Sequence, residues 1–210
     1  MEFLQYELTS NLLCLGETVK SDILKPCCKT IRYSSITGAI RKIFGNEDIH
    51  AVGYLEDNED YNQINILIHS PRDRNVNSSK FPLQVEFLSN VKGKVYIPVT
   101  NNLTKLPDEF EIRMGALLSK GFGLCKLVFQ KIISEKDEES EIIYNPVPEK
   151  YVLNVRIPEK QSSMFNIKSV VIPVYGYLFQ PIGIESGIYV RSLFEGSIVQ
   201  GPVFLLKKEV

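Results

Sequence analysis

The stretch that most limits what this chain can become is Arg113-Met-Gly-Ala-Leu-Leu-Ser-Lys-Gly-Phe-Gly-Leu-Cys-Lys126, which runs straight into an apolar, strand-like segment over 124–133. Three glycines, Gly115, Gly121 and Gly123, fall within nine residues. They let the backbone take positive φ and let another backbone or a phosphate come close. Arg113, Lys120 and Lys126 place positive charge beside the amide groups of that bend, a pairing suited to a polyanion. The plain alternative is a tight turn with a bulge before a strand. No Gly-Lys-Ser/Thr closes the segment as in a nucleoside-triphosphate loop, and it is not Gly-x-Gly-x-x-Gly after a strand, so a nucleotide cofactor is not expected.

The chain has 210 residues, enough for one large domain or a domain with a smaller companion. Its 24 Lys plus Arg against 25 Asp plus Glu give a formal net charge of -1, which excludes a globally basic nucleic-acid binder. A polyanion site must then be a local basic face, with the acidic run over 135–141 kept on another surface. No apolar run reaches the roughly 18 residues of a membrane span, and the start lacks a signal-peptide pattern, so a cytoplasmic protein with no membrane partner is expected. Cys14, Cys27, Cys28 and Cys125 form no C-x-x-C pair, and free thiols are expected rather than a metal site.

Alternation over 2–10 predicts a half-buried first strand. A loop with Lys20, Lys25, Lys29 and Arg32 follows, able to reach a partner. Residues 34–45 read as a helix capped by a serine and closed by Gly45, with Ile36, Ala39, Ile40, Ile43 and Phe44 inward and Arg41 and Lys42 outward. Its N-terminus, behind Tyr33, Ser34 and Ser35, is a second candidate anion site. Strands are predicted near 51–55, 63–70, 83–87 and 93–99, with a basic turn over 72–80, an Asn-Val-Lys-Gly-Lys turn at 90–94, and a second helix or helical turn over 100–107. That order gives an α+β fold, ferredoxin-like or RNA-recognition-motif-like, over 1–133. Past 133, scattered prolines between short β-rich runs predict a β-rich region over 134–210 packed on the first.

Tyr33-Ser-Ser-Ile-Thr-Gly-Ala-Ile-Arg41, the Gly-rich segment over 113–123 and the blocks over 176–181 and 189–197 together resemble the CRISPR-associated RAMP superfamily: the first is similar to its Ser-Ser/Thr-x-x-Gly-Ala-x-Arg helix start and the second to its Gly-rich loop. Gly176-Tyr-Leu-Phe-Gln-Pro181 and residues 189–197 resemble a C-terminal block of subunits in type III effector complexes. The resemblance implies a subunit that binds crRNA beside other CRISPR effector subunits, nearest to the group that holds the repeat-derived 5′ tag. It implies RNA contact at Ser34, Ser35, Gly115, Lys120, Gly121, Phe122 and Gly123, with a phosphate at Lys120 and a base on Phe122 or a tyrosine. Arg32, Arg41, Arg113 and Arg191 add charge. No catalytic residue is expected; the competing readings are a metal-independent processing endoribonuclease using His50 or His69, and a scaffold that touches only proteins.

Overall fold

The computed structural model describes residues 1–16, 24–70, 82–100, 103, 106–134, 136–144, 151–182 and 186–208. In chain order the elements are β1 (Phe3–Leu13), β2 (Leu24–Lys25), α1 (Tyr33–Phe44), β3 (Val52–Leu55), β4 (Gln63–His69), β5 (Leu83–Pro98), β6 (Glu109–Arg113) and β7 (Leu124–Ile133). Short strands follow: β8 (Ile142–Ile143), β9 (Tyr151–Leu153), β10 (Ile157–Pro158), β11 (Ser169–Ile172), β12 (Tyr175–Pro181), β13 (Gly187–Leu193), β14 (Ile198–Pro202) and β15 (Leu206–Lys208). The architecture is α+β and dominated by strands.

The first seven strands build one mixed sheet in the order β6-β7-β1-β5, with β3 and β4 end to end along the far edge of β5 and β2 running parallel to the start of β5. β1 lies between β5 and β7, antiparallel to both. Leu4, Tyr6 and Leu8 of β1 enter one core with Ile36 and Ile40 of α1 and Val95 and Ile97 of β5. Burying a side chain of that size contributes about 1.5–3 kcal/mol. Tyr6 donates its hydroxyl to the Pro107 carbonyl at 3.0 Å, so its polar tip is satisfied in the interior.

β1 is not the half-buried strand its alternation predicts. Phe3 on the opposite face is also buried, in a second core with Tyr33, Tyr96 and Ile133 from the first half and Leu153, Phe165, Leu193 and Phe204 from the second. The region past 133 therefore covers the outer face of the first strand, which no periodicity within β1 can reveal. β5 departs from expectation too. The predicted turn at 90–94 is the middle of one strand, because pairing with β1 on one edge and with β3 and β4 on the other carries the ladder through. Asn90, at φ 49°, absorbs the local irregularity.

α1 begins at Tyr33 and not at a capping serine. Arg32 is the N-cap, its carbonyl accepting from the Ser35 and Ile36 amides at 3.0 and 3.2 Å, and no side chain caps the first turn. Gly45 closes the helix in the left-handed conformation as expected, its amide donating to Arg41 O. Ile43 faces solvent instead of the core. Over 100–107 the described residues show no helix: Thr100 and Leu103 bond each other as an extended bridge. Lys20 and the basic turn over 72–80 lie outside the described residues.

Candidate nucleic-acid interface

Two segments singled out from the sequence, the start of α1 and the Gly-rich bend, face each other across a groove of about 440 Å3. One wall is Arg32, Ser34, Ser35, Gly38 and Lys42; the other is Arg113, Met114, Gly115, Ala116 and Leu118; Leu15 and Gly16 form the floor. Among the described residues the lining carries three cationic side chains and no carboxylate. Among the described residues Lys42 and Arg113 have no salt-bridge partner, and the first turn of α1 has no acidic residue. The uncapped positive end of a helix dipole adds to the same field. Arg32 is partly committed, since its Nη2 donates to the Gly16 carbonyl and ties the floor to the helix start.

The bend that forms the second wall is half structural. Gly115, at φ 91°, lies where a Cβ would meet Cys14 O at 2.5 Å, while the Ala116 amide donates to that same carbonyl at 2.8 Å. Gly123 donates to Leu12 O and accepts from the Met114 amide. The Lys120, Gly121 and Phe122 amides donate to carbonyls at 117 and 118. The expected amide cradle is thus largely occupied by the chain's own carbonyls, and side-chain cations carry the positive field of the groove. Phe122 is also corrected: it is only 8% exposed, packed edge-on against Phe87 beside Cys14 and Val85, so its face is not presented to a base. Lys120 and Gly121 are exposed on the short 3-10 turn Leu118–Lys120 and its end, outside the groove lining. Lys126 pairs with Glu109 at 2.8 Å across β6 and β7.

Beyond Lys42 the groove continues into a second of about 280 Å3, lined by Tyr33, Ser34, Thr37, Gly38, Arg41, Lys42, Glu47 and, from β12, Gln180. Arg41 does not point freely outward. Its Nε donates to Ile49 O at 2.7 Å and its Nη1 to Glu47 at 3.0 Å, binding the 46–50 turn to the helix. Behind it, the Tyr33 hydroxyl is bonded to His50 Nδ1 and the two rings stack. Burial, and then the Arg41 charge, hold the His50 imidazole below its ordinary pKa; burial raises that of Tyr33. At neutral pH the phenol therefore keeps its proton and the imidazole stays neutral and able to accept it. Periodicity carried no signal for this contact, because it joins a helix start to a loop 17 positions away. His69 ends β4, its backbone paired with Leu83, and its side chain lies outside the described residues. Arg191 stands apart on β13, paired with Glu159 at 3.5 Å and stacked on Tyr175. Lys29 lines a separate hollow with Asp57 and Lys207.

No family model and no curated protein matches the sequence. Among solved structures, a chain of the type III-B Cmr-beta complex bound to cognate target RNA superimposes with a TM-score of 0.54 at 13% identity, over 95% of this chain and 86% of that one. The chain has the fold of a CRISPR-complex subunit. The same complex with target RNA and AMPPnP gives 0.52 at 12% identity, again over 95% and 86%. A chain of a CRISPR RNA-guided surveillance complex gives 0.51 at 9% identity, over 97% of this chain and 92% of that one. This CRISPR-subunit fold spans both halves of the chain, as do the resembling segments over 33–41, 113–123, 176–181 and 189–197.

Proposed function

We propose that the protein is a non-catalytic crRNA-binding subunit of a CRISPR ribonucleoprotein effector complex, and that the groove between α1 and the Gly-rich bend holds the sugar-phosphate chain of the repeat-derived 5′ tag. The observation that carries this reading is the groove lining, where Arg32, Lys42 and Arg113 stand with no carboxylate among the described residues, in a chain of net charge -1. Sheet order supports the ferredoxin-like assignment: β7-β1-β5 followed by β3 and β4 is the order of that fold, with the segment between β5 and β7, which carries the added edge strand β6, in the chain position of its second helix. Residues 1–133 then form the RNA-binding domain and 134–210 the β-rich region on it.

Replacing Lys42 and Arg113 together with Ala is expected to weaken binding of repeat RNA and to reduce the slope of log K against log salt by about 1 to 2, one phosphate contact per cation. Lys120→Ala, outside the groove, should change the slope less. Titrations at several salt concentrations read this directly, and an unchanged slope in the double variant would remove the groove from the interface.

The Tyr33–His50 contact beside the second groove favours one alternative, a metal-independent processing endoribonuclease. There His50 Nδ1, once released by the Tyr33 hydroxyl, would take a 2′-hydroxyl proton, the Tyr33 phenol would protonate the leaving 5′-oxygen, and Arg41 would steady the phosphate. Incubation with repeat RNA separates the two: intact, shifted RNA supports the binding subunit, and cleavage abolished by His50→Ala supports the nuclease.

A further inference from the structure

β12 and β13 form a two-stranded hairpin whose register sets Tyr177 opposite Arg191 and Phe179 opposite Tyr189. Alternation puts Tyr175, Tyr177, Phe179, Tyr189 and Arg191 on one face. Leu178 and Ser192, on the other face, are buried. The first face is open: Tyr177 and Tyr189 are each 66% exposed, Phe179 49% and Tyr175 40%. Such a concentration of rings is costly to leave in water unless something covers them.

We infer that the outward face of β12 and β13 is a base-stacking platform for single-stranded RNA, reached by the strand that leaves the basic groove. The inference rests on RNA being the ligand of the groove, and adds a second contact of different chemistry.

Three observations favour RNA over a protein as the occupant. Among the described residues, the exposed side chains of this face are flat rings and one guanidinium; Leu193, opposite Tyr175 on the same face, is fully buried, and the exposed Ile188 alternates onto the other side. Alternate residues on a strand are about 6.8 Å apart, twice the roughly 3.4 Å step of stacked bases, so a base can lie between the rings of Tyr177 and Phe179. Finally, the platform lies around the edge of β12 from the groove. Ser34, Gly38 and Lys42 line both basic hollows, and the second is lined by Gln180, which alternates to the face opposite Phe179, so a strand leaving that hollow meets the rings by turning over the β12 edge. No strand covers the outer edge of β12 among the described residues.

Each aromatic already has the support a platform needs. Phe179 and Tyr189 meet edge-on, centroids 5.6 Å apart. Glu159 accepts from the Tyr175 hydroxyl at 3.0 Å and pairs with Arg191, whose guanidinium lies 3.6 Å over the Tyr175 ring. That corner is fixed, leaving Tyr177, Phe179 and Tyr189 to receive bases. Stacking on such rings is sequence-tolerant, because every base offers a π face.

The test uses the full chain, a fluorescein-labelled single-stranded RNA of about twelve nucleotides, and a probe of the same length with abasic sites in place of the bases. Tyr177→Ala with Tyr189→Ala should weaken binding of the ordinary probe by about tenfold or more, with an unchanged salt slope and an unchanged melting temperature. Phe at both positions should restore it, and the abasic probe should bind wild type and Ala variant alike. The Lys42 and Arg113 variant behaves in the opposite way, losing slope while still distinguishing the two probes. If the Ala variant binds both probes as wild type does, the platform is overturned while the groove reading stands. Loss of a co-purifying CRISPR subunit in that variant, with RNA binding intact, overturns it in favour of a protein occupant. Failure of the wild type to bind either probe overturns both readings.

Discussion

Gly123→Val is expected to cost about 4 kcal/mol of folding stability. Gly123 holds φ at 76°, a conformation that costs a residue with a Cβ about 1–2 kcal/mol, more when it is β-branched. A Cβ there would stand 2.2 Å from Met114 O and 2.7 Å from the Leu118 side chain. The first of these is backbone, so strands β6 and β7 must separate where the Met114 amide bonds Gly123 O, adding an overpacking cost of about 1–3 kcal/mol. Gly121→Ala is the control: φ is 87°, but nothing lies within 4 Å of the new Cβ, so only the backbone cost of about 1–2 kcal/mol applies. Urea midpoints for the two variants at constant m measure the difference. Equal losses would mean that the bend yields at 123, and that its close contact with Met114 is not what shapes the groove wall.

Glu195→Ala is expected to cost about 3 kcal/mol, because it removes the carboxylate bonded to the Arg156 guanidinium, whose side chain is only 12% exposed. Glu195 accepts from Arg156 Nε at 2.7 Å and Nη2 at 2.7 Å and from Thr30 Oγ1 at 2.6 Å, and Arg156 lies 4.4 Å over the Phe194 ring. The cluster fastens the β12–β13 region to the chain before α1. Replacing both partners by apolar residues, Arg156→Met with Glu195→Leu, should cost much less than either single truncation. The pH dependence has a defined sign. Burial alone would raise the Glu195 pKa, but the bonds from Arg156 and Thr30 outweigh it and hold the carboxyl below its ordinary value. A depressed folded pKa contributes stability that is complete above the unfolded value of about 4.3 and is lost as pH falls through the folded one. Wild type should therefore lose stability below about pH 4.3 more steeply than Glu195→Gln does. Parallel curves for the two proteins would show that this carboxylate is not ionised in the clasp.

Local chemistry in the sequence was enough to locate the groove's two walls. Glycines at 115, 121 and 123 announced the bend, all three at positive φ, and Ile36, Ala39 and Ile40 announced the buried face of α1. What the sequence could not show was direction. Phe122 and Lys120 are two residues apart, yet one packs under β5 and the other stands in solvent, because the 3-10 turn at Leu118–Lys120 rotates the chain between them. Lys42 read as one outward cation among several until the fold set it opposite Arg113. Arg41 and Arg191 looked like free charge, and each has a carboxylate at hand, Glu47 and Glu159, from a segment too distant in sequence or too irregular to anticipate. The aromatic face of β12 and β13 was legible as residue types within the 176–181 and 189–197 blocks, but two strands must pair before the rings share a side.

β1 finds its partners late. Phe3 pairs with Pro98 on one side and Ile133 on the other, and its ring packs on Phe204. At a ribosomal pace of about 5–20 residues per second, the first strand emerges on the order of ten seconds before its second neighbour has been synthesised. A long apolar edge waiting that long is open to self-association, and pairing at such separation is slow in itself. Yield in a heterologous host should therefore respond to translation speed and chaperone supply more than to the stability of the finished molecule.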